Sequence, residues 1–242
     1  MEKKYLLSLF ALLSLWGGCR KPGCLGAAGH VTTSERPLGS FKKLILGDNV
    51  NVILTQGTEE KMRIEAPENL IPDITSTIAD GTLTIGNSAD CRWARDPAEK
   101  ITVQLFFKDL SKINYNGSGD ITNTDTLRLD GLQIETSVGA GNIELTVDNK
   151  YMGAYIFEES TGIKLHGRSL SCFTYTNARG QADMSDFTVK NMVIEYGGLA
   201  DTRVHVTDTL DAIIYYKGNI RYEGSPVIKK ALYYSTGKLV RE

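Results

Sequence analysis

A glycine returns at nearly even intervals through the second half of this chain, each time between two short runs that alternate apolar and polar residues. Gly119, Gly141, Gly162, Gly180, Gly198, Gly218 and Gly237 are spaced by 22, 21, 18, 18, 20 and 19 positions. Alternation of period two marks a strand with one buried side. Shortly after each glycine comes an apolar residue: Ile121, Ile143, Ile163, Ala182, Ala200, Ile220, Leu239. A unit of about 20 residues cannot bury its apolar side alone, so it must stack on its neighbours.

These features predict an all-β fold, a single-stranded parallel β-helix or β-solenoid with coils of about 20 residues and the apolar column inside. A β-sandwich of hairpins is the alternative. Hairpins need tight turns at both strand ends, whereas here one glycine turn recurs once per repeat in one context. Seven coils at ~4.8 Å would make a stack roughly 34 Å long. Two properties suit glycine to the corner: it reaches φ > 0 without a Cβ clash, and it lets the next coil approach closely. Asp120, Asn142 and Asn219 beside these glycines tolerate the left-handed region and can bond their own backbone. Unequal steps imply that some corners bulge.

The first half is less regular. Phe41 to Leu54 reads as strand, Gly-Asp-Asn turn and strand. Strands also fit Met62–Ala66, Gly81–Ile85 and Ile101–Phe107, with a short helical turn between Pro67 and Ile74 and a polar loop over Ala89–Pro97. No composition break appears, so residues 38–242 are expected to be one domain.

The beginning of the chain carries a different signal. Lys3 and Lys4 precede an apolar run of 12 residues, Tyr5–Trp16, followed by Gly17, Gly18 and Cys19. A membrane-spanning helix needs about 20 apolar residues, so residues 1–18 read as a secretory signal peptide. Leu15-Trp-Gly-Gly-Cys19 resembles a bacterial lipobox, with Trp16 where a small or aliphatic residue is usual. Lipidation of Cys19 is expected, with residues 19–37 as a flexible tether rich in small and polar residues. The expected location is the cell envelope, at the outer membrane, with either side of that membrane open.

With residues 1–18 removed the formal charge moves from −2 to −3, 25 basic against 28 acidic residues. That balance offers no basic footprint for nucleic acid. Past Cys19 and Cys24 only Cys91 and Cys172 remain. Export would permit a disulfide, but nothing in the spacing brings them together, and two buried thiols is the preferred expectation.

Residues 38–240 resemble the head GIN domain family of Bacteroides-type bacteria, named for a presumed role as auto-transporter adhesins. The resemblance rests on the strand-Gly-strand opening (Phe41–Leu54), Gly-Ser-Gly-Asp-Ile at Gly117–Ile121, Gly-Asn-Ile at Gly141–Ile143, and the tyrosine-flanked closing segment Tyr215–Pro226. It implies a β-helix-like fold, a lipoprotein or secreted location, and an adhesive role.

Candidate sites are sparse. Gly117–Asp125 has the outline of a calcium-binding turn, but Gly139-Ala-Gly-Asn supplies fewer anions in the next repeat, so no metal or other cofactor is expected. Pectin-cleaving enzymes also use β-helices. Asp183 and Asp201 each lie three residues past a repeat glycine and are the one carboxyl pair that could serve a polysaccharide hydrolase or lyase. Aspartates at solvated corners are common, and no catalytic residue is assigned. His30, His166 and His205 make no triad by spacing.

Tyrosine is the better lead. Ten of eleven tyrosines lie at or after Tyr115. Tyr196, Tyr215, Tyr216, Tyr233 and Tyr234 are candidates for an outward aromatic strip that takes a glycan or protein ligand. In Ile213-Ile-Tyr-Tyr, alternation predicts one tyrosine in and one out. The expected function is thus a lipid-anchored envelope protein with a binding or adhesive head; a purely structural envelope role is the alternative, and a polysaccharide-cleaving enzyme the less favoured one. Replacing Cys19 with Ser is expected to move the protein from the membrane pellet to the soluble fraction, and continued pelleting would refute lipidation there.

Overall fold

A computed structural model describes residues 28–89, 100–157, 161–178 and 181–242. The expected signal peptide, Cys19, Cys24, Cys91 and Gly180 lie outside them. The described residues form seventeen strands in one continuous sheet. The first seven are β1 (Val31–Pro37), β2 (Lys43–Asp48), β3 (Asn51–Gln56), β4 (Lys61–Pro67), β5 (Ile74–Ala79), β6 (Thr82–Asn87) and β7 (Thr102–Phe107). Next come β8 (Lys112–Gly117), β9 (Ile121–Asn123), β10 (Leu127–Thr136), β11 (Asn142–Ile156), β12 (Gly162–Ala178), β13 (Gln181–Gly198) and β14 (Thr202–Ile214). The last are β15 (Ile220–Glu223), β16 (Val227–Tyr233) and β17 (Leu239–Arg241).

The sheet winds into a mostly parallel β-solenoid. One stack runs β1, β4, β7, β3, β9, then the opening segments of β11 to β14, then β15 and β17. The other runs β5, β6, β2, β8, then the closing segments of β10 to β14, then β16. Neighbouring coils are offset by about 20 residues: Ile143 pairs with Ile163, and Met152 with Cys172. Where repeats are shorter the register slips, at Met184/Thr188 and Val189/Asn191 between β13 and β14.

The apolar column is present, with one correction. Val52, Ile121, Ile143, Ile163, Ala182 and Ile220 are buried, and Leu239 is half-buried at the end of the stack. Ala200, however, is exposed. Thr202 pairs with Ile220 in its place, buried, with its hydroxyl donating to the Ala182 carbonyl at 2.6 Å. The corner after Gly198 is two residues longer than the spacing implied. A second inward column, Leu132, Met152, Cys172, Met192 and Leu210, fills the other stack. Each such aliphatic side chain stabilises the fold by roughly 1.5–3 kcal/mol on burial.

The reason for glycine at the corners is proximity rather than backbone handedness. Among the described residues the glycines with positive φ are Gly29, Gly81, Gly167 and Gly224, and none of these belongs to the repeat series. A Cβ at Gly119 would instead overlap the Val50 carbonyl. At Gly141 it would overlap that of Gly119, at Gly218 that of Ala200, and at Gly237 that of Gly218. Each of these four corners rests on the backbone of a neighbouring corner, whereas Gly162 faces the Asn142 side chain and Gly198 the Tyr196 ring.

Two tyrosines plug the corners from inside. The Tyr115 hydroxyl donates to the Gly119 carbonyl at 2.6 Å and accepts from the Gly141 N–H at 3.1 Å. Side chains at Gly139 or Gly141 would strike it. Tyr196 repeats the device, donating to the Ala200 carbonyl beneath Gly198 and Gly218. Burial pushes both phenols up to about 12.

The polar residues beside the glycines also differ from expectation, because they bond the neighbouring coil and not their own backbone. Asn51 Oδ1 accepts from the Asp120 N–H at 2.9 Å, and Asp120 Oδ1 from the Asn142 N–H at 3.0 Å. Asp201 Oδ1 accepts from the Asn219 N–H at 3.0 Å, and Asn219 Oδ1 from the Lys238 N–H at 2.9 Å. This chain of side-chain amides and carboxylates satisfies corner donors that no strand partner reaches.

The irregular first half builds the end of the stack. The coil β2–β3 lies directly against β8–β9. Between them in sequence, β4 to β7 fold back over the far side, with antiparallel pairs β4–β7 and β5–β6. Asp80 and Gly81, at φ 48° and 70°, join β5 to β6, and such double positive φ matches a type I′ hairpin. The expected helical turn is a single 3₁₀ turn at Ile71–Asp73. Val31–Pro37, expected to lie in a flexible tether, instead form β1, antiparallel to β4 over seven pairs. That strand is polar and nowhere fully buried, so hydrophobic periodicity carries no trace of it. Cys172 is a buried thiol, pushed up to about 12 by burial.

Two outcomes test the corner. Gly141→Ala is expected to destabilise the fold by about 1–3 kcal/mol through overpacking, and Tyr115→Phe by about 1–3 kcal/mol by stranding two buried backbone groups, both read from urea unfolding. A second test uses pH. The Asn219 N–H, with the Arg221 guanidinium 2.6 Å away, holds the Asp201 carboxyl below its usual range. A depressed carboxyl stabilises the fold above its unfolded pKa, about 3.9, and loses that contribution as pH falls through its folded value. Asp201→Asn should therefore lower the melting temperature at pH 7, with the gap from the parent protein closing below about pH 4.

Candidate functional site

Strand alternation sends every second residue outward, and on the second stack those residues make an aromatic and aliphatic surface. From β11 come Tyr151 and Tyr155, with Phe157 just beyond; β12 supplies Phe173 and Tyr175. The parallel register sets Tyr155 beside Tyr175 and Gly153 beside Phe173. Ring centroids lie 5.4 Å apart for Tyr155–Phe173 and for Phe157–Tyr175, and 6.5 Å for Tyr155–Phe157. Further along, Val193, Ile213 and Leu232 continue the surface, and Tyr215 stacks on Tyr234 at 5.4 Å with the rings 16° from parallel.

The floor of this face is shaped by Gly153, which is buried. A Cβ there would meet the Tyr155 ring at 3.0 Å and the Tyr151 hydroxyl at 3.3 Å. Both rings therefore lean over the glycine, their hydroxyls 3.5 Å apart. Tyr151, Phe157, Val193, Tyr215, Leu232 and Tyr234 are each 38% to 67% exposed. A contiguous run of exposed apolar side chains is uncommon on a monomeric protein and marks an interaction surface.

Two carboxylates interrupt the rings. Glu195 pairs in register with Tyr175 and Ile213 and accepts the Tyr215 hydroxyl at 2.9 Å. That bond and partial burial raise the Tyr215 phenol above its ordinary value. Asp211 pairs with Val193, and its Oδ1 has no hydrogen-bond partner.

The tyrosines expected from the sequence divide. Tyr215 and Tyr234 lie on this face and touch each other. Tyr196 does not, because it is the buried corner plug, 1% exposed. The alternation predicted for Tyr215 and Tyr216 also fails. β14 ends at Ile214, and both tyrosines stand in the corner with about two-fifths of their surface exposed. Tyr216 carries the Lys217 ammonium 5.7 Å from its ring centre. Tyr233 continues the inward column of Ile214, is exposed where the stack ends, and has Lys238 over its ring at 5.0 Å.

Tyr151, Tyr155, Phe157, Phe173 and Tyr175 were absent from the sequence expectation. Their signal is present nonetheless. Tyr155 and Phe157 alternate at period two, as do Phe173 and Tyr175, and Tyr155 and Tyr175 stand one coil apart.

Asp183 and Asp201 do not form an acid–base pair. Register places Asp183 opposite Arg203. Burial raises the Asp183 carboxyl, but hydrogen bonds from Ser185 outweigh it and hold the group below its usual range. Asp201 is held low by Asn219 and Arg221. A glycosidase acid needs one carboxyl raised, and neither is. In the calcium-like turn, Asp120 Oδ1 is engaged by Asn142. Among the described residues no group of three or more His, Cys, Asp or Glu side chains is placed to hold a metal. His166 lies between Glu144, at 2.9 Å, and Asp186, at 3.4 Å, as part of an outer ion ladder.

Known structures share the architecture. A putative adhesin from Bacteroides fragilis superposes with a TM-score of 0.78 at 21% identity, covering 88% of this chain and 97% of that one. A putative adhesin from Parabacteroides distasonis gives 0.67 at 17% identity, covering 88% and 98%. A protein from the same species, described as a putative lipid binding protein, gives 0.61 at 19%, covering 88% and 97%. At these identities the likeness shows the fold. No curated protein matches the sequence. Residues 40–226 match the family model described as "Putative auto-transporter adhesin, head GIN domain". The chain belongs to the head GIN domain family.

Proposed function

We propose that this chain is a binding module of the cell envelope, held to a membrane through lipid on Cys19, that contacts a ligand through the aromatic face of its solenoid. The observation that carries the proposal is the outward run from Tyr151 and Tyr155 through Phe173 and Tyr175 to Tyr215 and Tyr234. Aromatic side chains bring large contact area at low entropic cost, and tyrosine adds a hydroxyl. Such residues dominate binding energy where they are packed and then desolvated by a partner. The sheet beneath holds them rigid, so little ordering is required on contact. Family membership supports an adhesive role, and the export signal and lipobox support an envelope location.

The test is adherence of cells producing the full chain to immobilised mucin glycoprotein, a surface that offers both peptide and sugar. The double variant Tyr155→Ala/Phe173→Ala is expected to reduce retention at least tenfold, while Tyr216→Ala, off the face, leaves it unchanged. Equal retention of the double variant and the parent, with melting temperatures matched, would remove the aromatic face from the function.

A further inference from the structure

We infer that the ligand of the aromatic face is a neutral glycan chain laid along the solenoid axis. The inference rests on the binding role proposed above and names the ligand class.

Three observations carry it. First, the ring contacts recur along the direction in which coils repeat. Tyr155 meets Phe173, Phe157 meets Tyr175, and Tyr215 meets Tyr234, each pair at 5.4 Å. The coil step is ~4.8 Å, close to the length of one sugar ring. A polymer that repeats the same apolar C–H face can use one rung after another, whereas a folded protein surface has no reason to repeat at that interval.

Second, Tyr151 and Tyr155 lean across Gly153 and do not stand upright from the sheet. That leaves a low aromatic patch over Gly153, beside Phe173. The negative face of an aromatic ring attracts the slightly positive C–H groups of a pyranose.

Third, two carboxylates stand among the rings. Glu195 and Asp211 are half-buried carboxylates that form no ion pair among the described residues; Glu195 already accepts from Tyr215 and Asp211 Oδ1 is enclosed, so the acceptor capacity left for a ligand is on their remaining oxygens. The cation in register with Asp211 is Lys230, on β16, where this stack ends. Ionised carboxylates only accept, so the complementary ligand brings donors, and sugar hydroxyls are donors on every ring. The same two charges repel a uronate polymer or an anionic lipid surface. A protein partner would have to bring a cation to each carboxylate or leave it buried and unpaired, which is costly.

The experiment measures displacement of the purified full chain from immobilised mucin by free oligosaccharides, alongside binding to mucin stripped of its glycans. Neutral hexasaccharides of glucose, mannose, galactose and N-acetylglucosamine form the panel, with the matching disaccharides and a galacturonate hexamer. At least one neutral hexasaccharide is expected to displace the chain, at a concentration at least tenfold below its disaccharide. Stripped mucin should not be held. Asp211→Asn and Glu195→Gln should each weaken displacement about three- to tenfold, without the loss of fold that a core change would bring. Retention on stripped mucin, with no displacement by any neutral sugar, would assign the face to a protein ligand and overturn the glycan while leaving the binding role intact. Displacement by the galacturonate hexamer as effective as by the neutral sugars would overturn neutrality. Displacement unaltered in Tyr155→Ala/Phe173→Ala would overturn both the glycan site and the role of the face.

Discussion

At four of the repeat glycines this protein turns where backbone touches backbone. The Gly119, Gly141, Gly218 and Gly237 Cα atoms pack against carbonyl groups of the preceding corner, and a single methyl group at any of them has nowhere to go. Once that contact is made, strand separation on both stacks follows, because the hydrogen-bonded spacing is fixed. The tyrosine plugs and the chain of Asn and Asp side chains then finish the corner. They satisfy the carbonyls and N–H groups that a sharp turn would otherwise strand. Interiors of this kind tolerate volume changes poorly, which is why the plug positions and the glycines above them must be read together.

The same register that stacks the interior also composes the exterior. An offset of 20 residues puts Ile143 against Ile163 inside and Tyr155 against Tyr175 outside. Neither alignment is adjustable without the other, since slipping a strand by one residue would turn every side chain to the opposite face. Beyond β13 the repeat shortens, and the register shifts between β13 and β14 absorb the missing residues. The outward surface survives that change of step, passing from rings to Val193, Ile213 and Leu232 and back to rings at Tyr215 and Tyr234. The shape of this face is thus tied to stacking, and a mutation in a corner would reach it through the strand positions.

Much of the solenoid was legible in the sequence because glycine and period-two alternation have direct physical causes. The column from Ile121 to Ile163 and the closing Leu239 follow from counting alone. Counting failed at Ala200, where a longer corner moved the buried position to Thr202, a residue whose polarity hides it until the Ala182 carbonyl supplies its partner. β1 was invisible for a related reason: it contributes backbone hydrogen bonds and no core. For the candidate site, tyrosine content pointed to an outward aromatic strip, and the structure gathers its exposed rings from partly different residues. Tyr196 serves the interior, and Tyr151, Tyr155 and Phe173 needed the pairing of coils three-dimensionally before they became neighbours. Local pattern tells which side of a strand a residue takes; only register tells what stands next to it.

The edge strand β1 has a mechanical consequence. It precedes the whole solenoid in sequence and joins it through seven paired positions on β4, with Arg63 bridging to Glu35 at 2.6 Å. β4 in turn is hydrogen-bonded to β7 and so to the coils. Tension applied to the residues before Val31 enters the fold through this ladder. When the pull lies along the strand, the hydrogen bonds share the load in shear and must yield together; when it lies across the strand, they open one after another at much lower force. A strand that adds almost nothing to the hydrophobic core is therefore the part of the molecule that decides how strong a tug the head withstands, and from which direction.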